Sequence, residues 1–450
     1  MQCNGTVAPG FEPVRHLYEQ QMQTMAEENT QLCVYYRGEK VVDLWASSKV
    51  DSGFAADSLV NIFSSGKSLE AIAMAALVSK GLLSYDARIT EYWPEFGANG
   101  KEGLTVADLM RHEAGLANFD TALDMEDLFT ENIKANAVGR VIERHGLSYR
   151  RGKREYHALT RGWIVNEVFR RVDPAGRTIG EFFREDISQP LDADVMIGVR
   201  EQDLGRVARV SPLGLGFEFL QSLKPKFLGR RIVHNIFQLV GRLARMIPSV
   251  IKARKSATRP PLVGFGVMDF FNEPGFARGE TPSANATCSA RGLAKVGAMV
   301  AAGGSWEGRE YLSEQAWSAL HSRPLKAQMG GVITTRFTQG GVDSFTPCGP
   351  GSSRLERDFT VGREGFYGWM GLGGSIFQWH PQLEIGFAFV PTALHVLDFF
   401  NERGKLYQAE VLKCAAVLAA RDGEGGGRAG AGANGATTVR ETMVESRSSQ

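Results

Sequence analysis

Leu59-Val60-Asn61-Ile62-Phe63-Ser64-Ser65-Gly66-Lys67-Ser68 opens a segment in which Leu69, Ile72, Ala73, Ala76 and Leu77 follow at helical spacing. That period predicts a helix from Ser64 that Gly81 ends. Ser64 falls at its N-terminal end, and Lys67, three residues on, falls on the same face, so the two side chains can touch. A serine hydroxyl is a weak nucleophile until a base takes its proton. A lysine can serve only if burial and nearby positive potential lower its pKa. The helix N-terminus supplies part of that potential and can aim backbone N–H groups at a developing oxyanion.

Ser-x-x-Lys arises by chance in many chains, and a serine there can simply cap the helix. A phosphate-binding loop ending at Ser65-Gly66-Lys67-Ser68 is excluded, because its first glycine would fall at Asn61 and no glycine-rich loop precedes it. Context comes from Leu82-Leu83-Ser84-Tyr85-Asp86, Tyr92-Trp93-Pro94-Glu95-Phe96 and Leu109-Met110-Arg111-His112-Glu113-Ala114-Gly115-Leu116. In this order and spacing, from about residue 10 to 420, the chain resembles the β-lactamase-related family of the penicillin-binding-protein and serine β-lactamase superfamily. The likeness is to the branch holding class C β-lactamases, D-aminopeptidases, family VIII carboxylesterases and eukaryotic β-lactamase-like proteins.

The resemblance implies further site residues. A tyrosine of the helical region that faces the nucleophile corresponds to Tyr156, in Glu155-Tyr156-His157-Ala158. A phenol near a lysine ammonium can share its proton, serving as base for acylation and activating water for deacylation. The family's usual asparagine is replaced by Ala158. The cleft-lining strand motif, Lys-Thr-Gly or His-x-Gly in penicillin-recognising enzymes, corresponds to Trp369-Met370-Gly371, placed by the following Leu372-Gly373-Gly374-Ser375. Trp369 and Gly371 are therefore the expected substrate-binding residues. An indole cannot pair with a substrate carboxylate but can form an apolar acyl wall. These departures favour an esterase-like serine hydrolase over a strong β-lactamase, with Ser64, Lys67 and Tyr156 as its catalytic set and an acyl-enzyme intermediate released to water or another acceptor. His112 is expected to be a structural hydrogen-bonding residue. The same resemblance allows a non-catalytic, self-assembling scaffold, and an oligomer, as the alternative. The class A deacylation motif and the Gly-x-Ser-x-Gly nucleophile elbow are missing, and no His/Asp cluster points to a metal. No cofactor is expected.

Outward from this segment, residues 11–29 read as a helix, and Leu32–Tyr36 and Val41–Trp45 as two strands. Residues 89–96 read as a loop, Thr105 starts a short helix, and helical patterns dominate to about residue 190. Strands return at Gly374–His380 and Leu383–Pro391, followed by a helical pattern over 395–420. The expectation is a mixed α/β (α+β) protein of the β-lactamase/transpeptidase-like fold, its antiparallel sheet built from both chain ends and flanked by helices. A mostly helical region is inserted between the strands. The catalytic domain is expected to span 1–421, and the Gly/Ala-rich segment 422–450 to be a disordered tail.

The 450 residues carry 43% hydrophobic and 22% charged side chains, enough to bury a sizeable core, and a net charge of +1 that gives no reason to expect nucleic acid. Five scattered cysteines without a Cys-x-x-Cys pair argue against a disulfide framework. With no signal-peptide pattern at the start and no apolar run long enough to span a membrane, a cytoplasmic protein is expected. Charge is uneven, however. Between Phe219 and Met268 there is no acidic residue, against Lys224, Lys226, Arg230, Arg231, Arg242, Arg245, Lys252, Arg254, Lys255 and Arg259. Within this insertion, about 214–262, Ile232, Ile236, Leu239, Leu243, Ile247 and Val250 recur at helical spacing. They predict a basic amphipathic helix interrupted by Pro248. It would form either a lid with its apolar face down and its arginines solvated, or a membrane-surface contact through 224–259. The other expected partner is a small acyl substrate.

Overall fold

The computed structural model describes residues 2–49, 53–147, 152–255, 260–266, 269–330 and 333–429. Strand β1 (Gln2–Val7) precedes helix α1 (Glu12–Thr24), and β2 (Asn29–Tyr36) and β3 (Glu39–Ser47) follow. Only Arg37 and Gly38 separate β2 from β3, at φ 50° and 81°. Positive φ at both central positions is the turn that matches the twist of a two-residue hairpin. Far along the chain come β4 (Leu325–Met329), β5 (Ile333–Phe337), β6 (Asp343–Ser344), β7 (Tyr367–Met370), β8 (Ile376–His380) and β9 (Ile385–Pro391). The nine strands form one antiparallel sheet in the order β1-β3-β2-β9-β8-β7-β6-β5-β4. The two chain ends meet where β9 pairs with β2, from Ile385 opposite Tyr36 to Pro391 opposite Thr30. The mixed α/β (α+β) architecture expected from the sequence is the one observed.

All seven residues of β9 are buried, as a central strand covered on both faces requires. Their alternation feeds two cores. Ile385, Phe387 and Phe389 join Val14 and Tyr18 of α1 and Tyr407 and Val411 of α7 (Glu402–Ala429) on one face. Ala388 and Val390 join helices α2 (Gly66–Ser79) and α6 (Ala290–Ala301) on the other. Gly386 permits this second packing, since a Cβ there would strike the Ala294 carbonyl and the Ala298 amide of α6. Helix α2 is buried from Gly66 through Leu77, so it is enclosed on all sides rather than amphipathic.

Several sequence expectations are corrected. The first helix ends at Thr24, and by residue 29 the chain is already in β2. Residues 89–96 hold the short helix Ile89–Tyr92 and the start of a 3-10 turn, with the Arg88 amide donating to the Glu91 carboxylate at the helix start. Strands β1 and β4–β7 gave no readable alternation, because β1 and β4 are edges and β6 is two residues long. The basic helix α5 (Ile236–Lys255) continues through Pro248, since a proline removes one donor and can be absorbed without ending a helix. Helix α7 runs to Ala429, past the expected tail start at 422; residues 430–450 lie outside the described residues.

Candidate active site

Phe63, Ser64 and Ser65 form a 3-10 turn that leads into α2, so the expected helix start is tighter than an α-turn. Phe63 adopts φ 49°, a left-handed conformation that a bulky residue rarely holds. Its N–H donates to Asn61 Oδ1 at 2.8 Å and its ring packs on Phe271 at 4.7 Å, so both backbone and side chain are pinned. Strain of this kind concentrates where a side chain must be presented at one angle. The residue presented is Ser64, half-buried.

Lys67 is fully buried, with Nζ 3.1 Å from Ser64 Oγ, 2.7 Å from the Ala158 carbonyl and 3.0 Å from the Ser283 carbonyl. Burial holds its pKa well below the ordinary lysine value; Glu70 opposes this and Arg161 adds to it. A neutral amine has two N–H donors and one lone pair. Nζ stands within donating distance of Ser64 Oγ as well as of the two carbonyls; in the uncharged form the carbonyls would take both donors and leave the lone pair to the Ser64 hydroxyl. The carbonyl of Ser283 reaches Lys67 because two glycines admit its loop. A Cβ on Gly66 of α2 would strike the Pro282 carbonyl, and one on Gly162 of helix α3 (Thr160–Val172) would strike Ser283 itself.

Beneath Lys67 lies an ion pair with no solvent contact. Arg161 of α3 donates through Nε to Glu70 Oε2 at 2.8 Å, through Nη1 to the Met110 and Gly341 carbonyls, and through Nη2 to the Lys67 carbonyl at 2.9 Å. The sequence reading missed this pair. Glu70, three residues after Lys67 on the same face of α2, was the available signal.

Tyr156 stands on the other side of Ser64, its ring centroid 4.8 Å from Lys67 Nζ. Burial pushes the phenol up to about 12, against the downward pull of its hydrogen bonds with Ser64 and Trp369. The segment carrying it is held by two histidines. The His157 N–H donates to His112 Nδ1 at 3.1 Å, and the Leu116 N–H donates to His157 Nε2 at 3.1 Å. Burial lowers both imidazoles, His157 to about 4, so each is neutral and able to accept. His112 is thus a hydrogen-bonding support, as expected.

Trp369 is in the expected place but with a different relation to the cleft. Its indole is 4% exposed, packed against Phe337 with ring centroids 5.0 Å apart, and its Nε1–H donates to the Tyr156 hydroxyl at 3.0 Å. It is a buried support for Tyr156 rather than an open apolar wall. Gly371 is likewise structural. Its N–H donates to the Ser375 carbonyl at 2.8 Å, and its missing Cβ makes room for the Ile62 carbonyl. That N–H is therefore unavailable to a substrate. The next residue, Leu372, opens a 3-10 turn, where an N–H has no acceptor inside the turn. Ser64, Lys67, Tyr156 and Trp369 are thus brought together, with Gly371 bracing the floor. Among the described residues no group of three or more His, Cys, Asp and Glu side chains could hold a metal ion, and no helix is long and apolar enough to cross a membrane.

A model of the Beta-lactamase family matches residues 14–411. A Mycobacterium tuberculosis protein named Esterase/beta-lactamase LipL is 30% identical over 376 residues, which are 81% of this chain and 76% of that protein. Among solved structures, a penicillin-binding protein homolog from Caulobacter crescentus is 25% identical with a TM-score of 0.71, over 92% of this chain and 100% of that one. EstA from Arthrobacter nitroguajacolicus Rue61a is 25% identical with a TM-score of 0.70, over 93% of this chain and 100% of that one. A family VIII carboxylesterase shares the fold at a TM-score of 0.72 and 24% identity, over 92% of this chain and 100% of that one. With the family model spanning nearly the whole of the described fold, the chain belongs to the β-lactamase family and is a hydrolase of its esterase/β-lactamase kind.

Proposed function

We propose that the protein is a serine hydrolase that cleaves a carboxylic ester through an acyl-enzyme on Ser64. The observation that carries this reading is Lys67, buried, its pKa held well below the ordinary lysine value, with Nζ 3.1 Å from Ser64 Oγ and hydrogen-bonded to two main-chain carbonyls. In acylation the Ser64 proton passes to Lys67 Nζ as Oγ attacks the ester carbonyl. The oxyanion is received by the N–H groups of Ser64 and Leu372, both at the open start of a 3-10 turn. Tyr156 gives its proton to the departing alkoxide, and the new ammonium of Lys67 returns a proton to the phenolate. During that interval the Trp369 indole N–H stabilises the phenolate oxygen. Deacylation runs the same relay with water in place of the serine hydroxyl.

Ester rather than β-lactam is favoured because Ala158 stands where the family's orienting asparagine would be, and Trp369 where a cation would meet a carboxylate. LipL is named for both activities, esterase and β-lactamase, so the choice of an ester rests on Ala158 and Trp369. The five cysteines are unpaired, which supports a reducing, cytoplasmic setting.

The test is a fluorophosphonate or activated acyl ester applied to the folded protein, followed by peptide mass analysis. We expect a mass adduct on the Ser64 peptide that Ser64→Ala abolishes. No adduct across the pH range, with the protein folded, would end this reading and leave the self-assembling scaffold as the better one.

A further inference from the structure

The insertion that the sequence marks by its charge is built the opposite way from a lid. Helix α4 (Leu215–Leu223) turns its polar residues Glu218, Gln221 and Ser222 into the protein and its apolar residues outward, Leu220 being 62% exposed. The 3-10 turn Lys226–Leu228 presents Phe227 at 86% exposure, and α5 presents Phe237 at 85% together with Val240 and Ile247 on the same face. The inward contacts are largely polar and specific. Arg242 of α5 is buried against Glu402 at 2.7 Å and lies 4.2 Å over the Phe400 ring, and the Ala26 N–H donates to the Arg231 carbonyl at 2.9 Å. Leu239 is buried beside Arg242. The segment is thus anchored to the body with its large apolar side chains facing out. Phe227 and Phe237 are the most exposed large apolar residues among those described.

We propose that this insertion is a docking surface for an anionic lipid bilayer. An apolar face inserted at the headgroup boundary, flanked by lysine and arginine, is the arrangement that binds a helix flat on a membrane. Lys224, Lys226 and Arg245 are exposed on the same two helices and their connection, and no acidic residue occurs between Phe219 and Met268. Asp358 flanks α5 near Phe237 and Arg245, with Arg354 beside it. The charge selects among occupants of an exposed apolar patch. A second copy docking this face on its twin would bring like charges together with only Asp358 near Phe237 and Arg245 to meet them, whereas anionic headgroups neutralise them. The inference does not depend on the hydrolase reading, because it concerns a surface distinct from Ser64 and its partners.

Flotation of the full chain with phosphatidylcholine vesicles, with and without phosphatidylserine, tests it. The expected result is co-flotation with the serine-containing vesicles at low ionic strength and release at about 0.5 M salt, where screening shortens the reach of the cations to a few ångströms. The double variant Phe227→Ser, Phe237→Ser removes two exposed side chains and leaves the core untouched. It should keep the wild-type melting temperature and lose vesicle affinity by about ten-fold or more. Absence of co-flotation at low salt overturns the proposal, as does equal binding to vesicles without phosphatidylserine or unchanged binding by the double variant. Light scattering that shows a dimer dissolved by the same two substitutions, with no vesicle binding, would assign the face to self-association instead.

Discussion

The indole Nε1–H of Trp369 donates to the hydroxyl oxygen of Tyr156 at 3.0 Å, across 213 residues of chain. At the position where penicillin-recognising relatives carry a cation, this protein places a neutral donor. The bond gains strength when the phenol becomes a phenolate, since a hydrogen bond to a charged acceptor contributes about 1.5–3 kcal/mol against about 1 for a neutral one. Trp369→Phe keeps the packing against Phe337 and removes the donor. Its kcat on an ester should fall by about ten-fold or somewhat more, with KM changed little, because the bond matters most while charge resides on Tyr156. The Tyr156 pKa should also rise. A proportional rise in KM with kcat unchanged would instead make Trp369 a substrate-binding wall.

How much of this site could be read from the sequence depends on which atoms do the work. Ser64 and Lys67 are legible because an i, i+3 spacing on a helix forces proximity, whereas Tyr156 is reached only through the family resemblance, since Ala158 breaks its local motif. The Ala158 and Ser283 carbonyls that complete the Lys67 environment are main-chain atoms, and no side-chain pattern encodes them. Arg161 and Glu70 lie 91 residues apart, so their pairing exists only once α2 and α3 are packed. In the fold, β9 and β2 were readable as buried runs, while the two-residue β6 and the edge strand β4 owe their existence to neighbours rather than to their own pattern. The insertion was readable as a charge anomaly, yet not for its orientation. That was set by the burial of Arg242 against Glu402.

Lys67 makes a prediction in two observables. Its folded pKa is depressed, so the unfolded chain holds a proton that the folded one lacks throughout the interval between the folded value and the ordinary lysine value. Stability contributed by this residue must therefore rise with pH across that interval and level off above it. Lys67→Met should remove this slope in urea melts recorded at increasing pH. In kinetics, kcat/KM should climb on an acid limb and reach its plateau well below the ordinary lysine range. Lys67→Arg, which carries a charge that cannot be removed, should lose about a hundred- to ten-thousand-fold in kcat. Retention of activity by the arginine variant would show that Lys67 is not the base.

The buried pair of Arg161 and Glu70 predicts a non-additive stability pattern. Removing one partner leaves the other charge in a site without water, a cost of about 3–5 kcal/mol. Arg161→Met and Glu70→Gln should each show such a loss in urea unfolding. The double variant Arg161→Met, Glu70→Gln should lose less than the sum of the two, because no unpaired charge remains. Additive losses would mean that Arg161 is held mainly by the Met110, Gly341 and Lys67 carbonyls rather than by Glu70.

Glu218 links the insertion to the body and titrates where a cell operates. Burial pushes its carboxyl up to about 7, against hydrogen bonds from the Leu397 and Val396 amides, and Asp398 pushes it further. The sign follows from the protons held. Between the ordinary carboxylate value and about 7 the folded protein keeps a proton that the unfolded chain has released, so stability falls as pH rises through that window and is flat above it. Glu218→Gln fixes the uncharged form, and its melting temperature relative to wild type should grow more favourable from about pH 4.5 to about pH 7, by at least about 2 °C. Because Glu218 sits on the polar underside of α4, the same substitution should slow proteolysis within 215–247 at neutral pH while leaving cleavage elsewhere unchanged. A constant melting difference across the window would mean that Glu218 ionises normally and that α4 is not held down through its side chain.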